Sequence, residues 1–383
     1  MEVTALGAIV ALVVAIVLII KKVHPAYGLI LGALVGGLVG GAGLTGTVTL
    51  MIDGAKGIMP AILRILTAGV LAGVLIESGA AAKIAETIVD KVGESNSLIA
   101  LTLATLVLTC VGVFIDVAVI TVAPIAIAIA NKAKLSRSSI LIAMIGGGKA
   151  GNIMSPNPNA IAAADTFKIP LTSVMAAGII PAIFGVIVTC IIAKKLINKG
   201  SYIINEEIQT SLEDKPSFIA AIVGPLVAII LLSLRPLFKI NIDPLIALPV
   251  GGAVGALCMG KIKNLNKYSI LGLSKMSGVA ILLIGTGTIA GIIANSGLKD
   301  VIINGLQTLG LPAFLLAPVA GILMSGATAS TTSGTAVGSQ VFGPTILELG
   351  IAPTSAAAMI HSGATVLDHL PRSEERRVGK ECS

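Results

Sequence analysis

The feature that most limits what this chain can fold into is the length of its uninterrupted apolar runs. Residues 5–20, 98–130 and 179–193 reach or approach the roughly 20 apolar residues that one bilayer crossing demands. Charged residues make up only 12% of the 383, about half the share of an ordinary soluble domain. So few ionisable groups cannot cover a globule of this size. The sequence therefore predicts an all-α polytopic membrane protein and excludes a soluble enzyme, a disordered scaffold and a secreted disulfide-rich module. The net charge of +7 sits in short clusters between apolar runs, which is a topology signal and not a nucleic-acid footprint. Cys110, Cys190 and Cys258 lie inside apolar stretches and Cys382 in a polar tail, so neither a disulfide framework nor a metal site is expected. The first run has no basic residues before it and Lys21-Lys22 after it, and reads as a retained helix.

Single crossings are predicted at about 4–22, 26–44, 61–78, 172–193, 216–234, 243–260 and 276–296. Residues 97–130 and 312–347 are too long for one crossing and too short for two, and read as re-entrant hairpins. Segments 138–165 and 354–371 begin apolar and break into Gly, Pro, Ser and Asn. Residues 198–215 form a polar cytoplasmic linker, and the chain repeats itself across it. Gly69 to Gly79 aligns with Gly287 to Gly297 at an offset of 218 residues, and Pro25 to Gly41 with Pro244 to Gly260 at 219. Met144-Ile-Gly-Gly-Gly148 aligns with Met359-Ile-His-Ser-Gly363 at 215. Three matches in order at nearly one offset indicate duplication, with repeats at 1–197 and 216–371.

Charge sets the hand of the duplication. With the N-terminus outside, Lys21-Lys22, Lys132, Lys134, Arg137, Lys194-Lys195 and Lys261, Lys263 and Lys267 fall inside. Lys56, Arg64, Lys168, Arg235, Lys239 and Lys299 then fall outside, the poorer side, as the positive-inside rule requires. The first repeat starts outward and the second inward. Such inverted repeats are the hallmark of alternating-access carriers. A channel gains nothing from them, and no nucleophile–base or metal arrangement of an enzyme is found.

Four polar constellations interrupt the apolar sequence, two per repeat: the tip Thr109 to Asp116, the break Gly146 to Asn159, the tip Ser325 to Thr335 and the break His361 to Pro371. Non-helical backbone at membrane depth survives only where it faces protein or water. Half-helix N-termini there suit a carboxylate, with hydroxyls and amides as further partners. The candidate substrate-binding residues are Asn152, Ser155, Asn157, Asn159, Ser330, Thr331, Thr332, Ser333, Thr335, His361 and Ser362. Ionisable residues at depth are functional by default, so Asp116, Asp368 and His369 are the candidates for proton coupling. Gly146-Gly-Gly-Lys149 imitates a phosphate loop, but Ala150 follows the lysine and no strand precedes it. The spacings Gly32/Gly36/Gly40 and Gly69/Gly73 read as close-packing faces.

At these residues the sequence resembles the gluconate:proton symporter family, within the larger group of two-repeat ion transporters. The resemblance runs over residues 1–371. It rests on Phe114-Ile-Asp-Val117, on Ser155-Pro-Asn-Pro-Asn159 followed by Ala160-Ile-Ala-Ala-Ala164, on the hairpin ending Phe342-Gly-Pro344, and on His361-Ser-Gly with Asp368-His-Leu-Pro371. It implies proton-coupled uptake of gluconate or a related acid through the cytoplasmic membrane of a prokaryote. The gluconate permeases carry Glu where Asp116 stands and a Pro-Pro-His-Pro-Gly-Pro break, so glycerate, another hydroxy or keto acid, or a small amino acid are alternative substrates. No cofactor is expected beyond the coupling ion, H⁺ or alternatively Na⁺. The expected partners are the small anion and the lipid bilayer, with a homodimer compatible and nucleic acid excluded. Residues 372–383 resemble a cloning scar, and the counterpart of 157–195 is not found after Pro371. The natural gene is accordingly expected to run on past Pro371 to about position 410, and the 383-residue form to be inactive in transport.

Overall fold

The computed structural model describes residues 2–93, 96–202, 215–328 and 330–368. Within them the chain is helical. The first half runs α1 (Ala5–Ile20), α2 (Pro25–Val39), α3 (Gly43–Glu77), α4 (Ala80–Val92), α5 (Ser97–Cys110), α6 (Ile115–Ala133) and α7 (Arg137–Ile153). It closes with α8 (Pro158–Thr166), α9 (Leu171–Ala177) and α10 (Ile179–Lys195). The second half runs α11 (Phe218–Phe238), α12 (Pro244–Cys258), α13 (Leu265–Ala294), α14 (Leu298–Thr308), α15 (Leu316–Thr328), α16 (Thr331–Glu348) and α17 (Pro353–Ala364).

The first seven helices and the last seven correspond one to one in order and relative length. Their caps correspond as well. Proline opens both α2 and α12, where its missing N–H costs nothing, and the side chains of His24 and Asp243 accept from backbone N–H groups two residues on. Ala5–Ile20 and Phe218–Phe238 both begin on a hydroxyl cap, Thr4 and Ser217.

Among the described residues, five helical stretches are long and apolar enough to cross a membrane: Gly43–Glu77, Ile115–Ala133, Leu171–Lys195, Phe218–Arg235 and Ile262–Ala294. On α10, Ile180, Ile183, Phe184 and Ile187 are all exposed, an arrangement that water would penalise and lipid does not. The chain is a multi-pass membrane protein.

The helices gather into two compact units, each drawing on both halves of the sequence. The first comprises residues up to Ile65, Pro158–Val174 and the chain from Met276, thus α1, α2, the start of α3, α8, the end of α13 and α14 to α17. Its core joins Ala8, Ala11 and Ala15 of α1 to Leu29 and Ala33 of α2, Ile289 and Ile292 of α13, and Val337 and Val341 of α16. The second comprises Leu66–Asn157 and Met175–Lys275, with α4 to α7, α10 to α12 and the facing ends of α3 and α13. Val74 of α3, Ala256 of α12 and Tyr268 of α13 pack together there.

Several expected boundaries move. The apolar pattern predicts a loop before residue 61, yet α3 is continuous from Gly43, with Pro60 inside it. Its polar residues Asp53 and Lys56 pair on the exposed side of the helix at 2.9 Å, so they do not end it. Gly146, Gly147 and Gly148 read as a break in the sequence but lie within α7. They serve packing: a Cβ at Gly147 would collide with the Thr102 carbonyl oxygen on α5, and one at Gly146 with Thr189 on α10. The true interruption is residues 154–157. The second tip is likewise shorter than expected, because Ser325 and Thr328 belong to α15 and Thr331 to Thr335 to α16. His361 lies in the last turn of α17, with the helix ending after Ala364. The expected spacing faces do pack closely, Gly32 and Gly36 against α1 and Gly73 against Tyr268 and Gly272 of α13.

Candidate functional site

In the first unit α8, α16 and α17 touch one another. Helix α8 starts directly after the 154–157 interruption, with Pro158 fixing its first turn. It lies along α16, where Gln340 Nε2 donates to Thr166 Oγ1 at 3.3 Å and Phe167 meets Gly343. Helix α17 is drawn onto α15 and α16 by small residues, with Gly363 against the Pro318 backbone and Gly338 against Ile360.

Among the described residues, these three helices hold six buried side-chain polar atoms with no hydrogen-bond partner: Asn159 Oδ1, Thr335 Oγ1, Ser339 Oγ, His361 Nδ1 and Nε2, and Ser362 Oγ. Thr335, Ser339 and His361 are fully buried, and Asn159 nearly so. Folded proteins satisfy almost all such atoms, because an orphaned one costs about 1–3 kcal/mol. Other membrane-depth hydroxyls obey that rule by bonding back to their own helix. Thr109 donates to the Thr105 carbonyl at 3.0 Å, Thr328 to Met324 at 2.7 Å and Ser325 to Ile322 at 3.0 Å. The six exceptions lie on three helices that pack against one another. Their chemistry is a neutral set of hydroxyls, one amide oxygen and an imidazole that offers one donor and one acceptor when uncharged.

A carboxyl group stands at the start of α16. Asp368, buried, accepts a hydrogen bond from the Thr331 hydroxyl at the start of α16. Ser330 caps that helix, its hydroxyl accepting from the Ser333 N–H at 3.4 Å. Thr332 is half-buried and Ser333 buried. The first unit thus brings together Asn159, Ser330 to Ser333, Thr335, His361, Ser362 and Asp368. His369 lies outside the described residues.

The second unit holds the other candidates. Asn157 Nδ2 lies 2.6 Å from Asn152 Oδ1, 2.5 Å from the Asn152 carbonyl oxygen and 2.8 Å from Ser155 Oγ. All three residues are buried, and their polar groups bind one another across the interruption after α7. Asp116 is half-buried in the first turn of α6, where a carboxylate complements the helix N-terminus. Gly112, at a φ of +101°, turns the chain just before it.

Two features escape the sequence reading. Ser339 follows Thr331 and Thr335 at four-residue intervals, a hydroxyl stripe that helical periodicity could have revealed. The charge pattern puts Arg64 at the outer edge of the predicted crossing 61–78, but it lies in the middle of α3 and its Nη1 bonds Asp165 Oδ1 of α8 at 2.5 Å. The repeats also differ where they align. Gly146 and Gly147 of α7 are packing residues, while their counterparts His361 and Ser362 carry three of the unpartnered atoms.

The fold resembles that of the Alcanivorax borkumensis YdaH transporter, with a TM-score of 0.64 over 96% of this chain and 94% of that one at 16% identity. A protein described as an uncharacterized transporter of Haemophilus influenzae is 66% identical over 370 residues, 96% of this chain and 88% of its own length. A gluconate permease of Bacillus licheniformis is 28% identical over 236 residues, 58% of this chain and 52% of its own. The GntP family permease model matches residues 3–374. With that match over nearly the whole chain, the protein belongs to the GntP permease family, a family of membrane transporters and not of enzymes.

Proposed function

We propose that the chain is a secondary carrier that takes up gluconate or a related small hydroxy acid together with protons across the cytoplasmic membrane of a prokaryote, N-terminus outside. The observation that carries this reading is the set of six buried, unpartnered polar atoms on α8, α16 and α17. Hydroxyls, an amide and a neutral imidazole match the hydroxyl groups of a sugar acid, and each would regain on binding the partner it lacks. Alternating access is supported by two repeats whose long helices α3 and α13 run antiparallel in each unit, with Gly54 against Gly287 in one and Gly73 against Gly272 in the other. Asp116 in the second unit and Asp368 in the first are proposed as proton-coupling acids. The named gluconate permeases among the relatives support the substrate class.

The test is uptake by cells expressing the transporter, using labelled gluconate competed by glycerate, other hydroxy and keto acids, and small amino acids. The reading expects saturable uptake that a protonophore abolishes and that hydroxy acids compete best. Uptake that survives the protonophore and follows a Na⁺ gradient would replace the proton by sodium. Non-saturating flux would indicate a channel.

A further inference from the structure

The Arg64–Asp165 pair joins positions 101 residues apart in sequence, tying the middle of α3 to the last turn of α8. Its two members are unequally reachable, since the Arg64 side chain is 26% exposed and that of Asp165 only 9%. Asp165 also stands at the C-terminal end of its helix, where the free carbonyls repel a carboxylate. Among the described residues its carboxylate has one cationic partner, Arg64. An ion pair so little exposed is disfavoured once one partner is taken away, because the remaining charge is left uncompensated. A guanidinium presents five N–H donors in a planar fork and accommodates a ligand carboxylate as readily as a protein one.

We infer that Arg64 and Asp165 form an anion–proton exchange pair: an incoming carboxylate takes the guanidinium of Arg64, and Asp165, left behind, takes up a proton. The step balances in charge. One anion and one proton enter together, the Arg64 cation is neutralised by the ligand instead of by Asp165, and Asp165 becomes neutral. By linkage the reverse holds equally, so that protonation of Asp165 favours anion binding. Among the described residues, the other charged or titratable groups of α3, α16 and α17 in the first unit have their own settings. Asp53 and Lys56 of α3 pair with each other, Glu348 of α16 pairs with Lys299, and Asp368 is held by Thr331. His361 of α17 is one of the unpartnered groups, and Lys168 beyond α8 is exposed. The inference rests on the proton-symport reading and names Asp165 as the acid that holds the proton while the anion is bound, alongside Asp116 and Asp368 as coupling acids.

The test is calorimetric binding of gluconate to the purified transporter in detergent, in buffers of different ionisation enthalpy and from mildly acidic to mildly alkaline pH. The wild type is expected to take up one proton per anion and to lose affinity by about tenfold per pH unit on the alkaline side, as one linked proton requires. Asp165→Asn should bind gluconate at least as tightly, with no proton uptake and no pH slope. Arg64→Gln should lose binding at every pH, and the reversed pair R64D/D165R should not recover it. Where Asp165→Asn does not fold, the double variant R64Q/D165N removes both charges and should bind weakly without proton uptake. Proton uptake retained in either variant that lacks the Asp165 carboxylate, or binding restored by the reversed pair, overturns the exchange role and leaves the pair a structural clamp. A wild type that carries gluconate into vesicles without moving protons defeats the symport reading itself, and the exchange pair with it.

Discussion

Gly54 of α3 packs against the backbone of Gly287 of α13 so closely that a Cβ at residue 54 would collide with the Gly287 carbonyl oxygen. In the other unit Gly272 of α13 stands in the same relation to Gly69 of α3. At the repeat offset of 218, Gly54 corresponds to Gly272 and Gly69 to Gly287, so the two contacts are one contact with the repeats exchanged. Leu50 against Gly291 and Tyr268 against Gly73 extend the same rule by one turn. Two helices that meet this way run antiparallel, as inverted repeats demand.

A methyl group at these crossings is therefore expected to be costly. Gly54→Ala and Gly272→Ala should each destabilise the protein by about 1–3 kcal/mol, the usual penalty of overpacking. Gly57→Ala is the control, because a Cβ there meets nothing within 4 Å and alanine is the better helix former. Thermal unfolding in detergent reads the difference. Equal midpoints for Gly54→Ala and Gly57→Ala would mean the crossing is not that tight.

The unpartnered groups and the self-bonded break are expected to respond differently to mutation. Thr335→Val and Ser339→Ala should raise the half-saturation concentration roughly 10- to 150-fold, the worth of about 1.5–3 kcal/mol for a hydrogen bond to a charged ligand, with little change in unfolding temperature. Asn157→Ala should lower the unfolding temperature, since it strips the donor that holds Asn152 and Ser155. Uptake kinetics and melting curves on the same three variants separate the two. Groups that serve only packing would show the reverse ordering.

Asp116→Asn is expected to abolish concentrative uptake and to leave counterflow exchange partly intact, because exchange needs no net proton movement. Full accumulation by this variant would remove Asp116 from the coupling scheme.

Much of this architecture could be read from the sequence because its signals are local or periodic. Apolar runs gave the membrane class, and Pro25 and Pro244 marked the same helix start in both repeats. The Ser155-Pro-Asn-Pro-Asn159 interruption was legible because two prolines cannot sit inside a helix without loss. What failed was judging glycine without its neighbours. Gly146 to Gly148 look like a break, yet Thr102 and Thr189 on other helices require them to be small. Arg64 is misleading for a related reason. Its partner Asp165 is far away in sequence, and without it the arginine looks like the edge of an apolar span. Among the hydroxyls, composition could not tell Thr328, bonded to its own helix, from Thr335, which is not.

The central claim is that anion and proton move together. Its most direct measurement is the pH of a weakly buffered suspension of proteoliposomes containing the transporter, at zero membrane potential, after external gluconate is added. The account predicts a transient alkalinisation outside that is saturable in gluconate and absent in protein-free vesicles. Gluconate entry with no alkalinisation, or entry that requires external Na⁺, would contradict it.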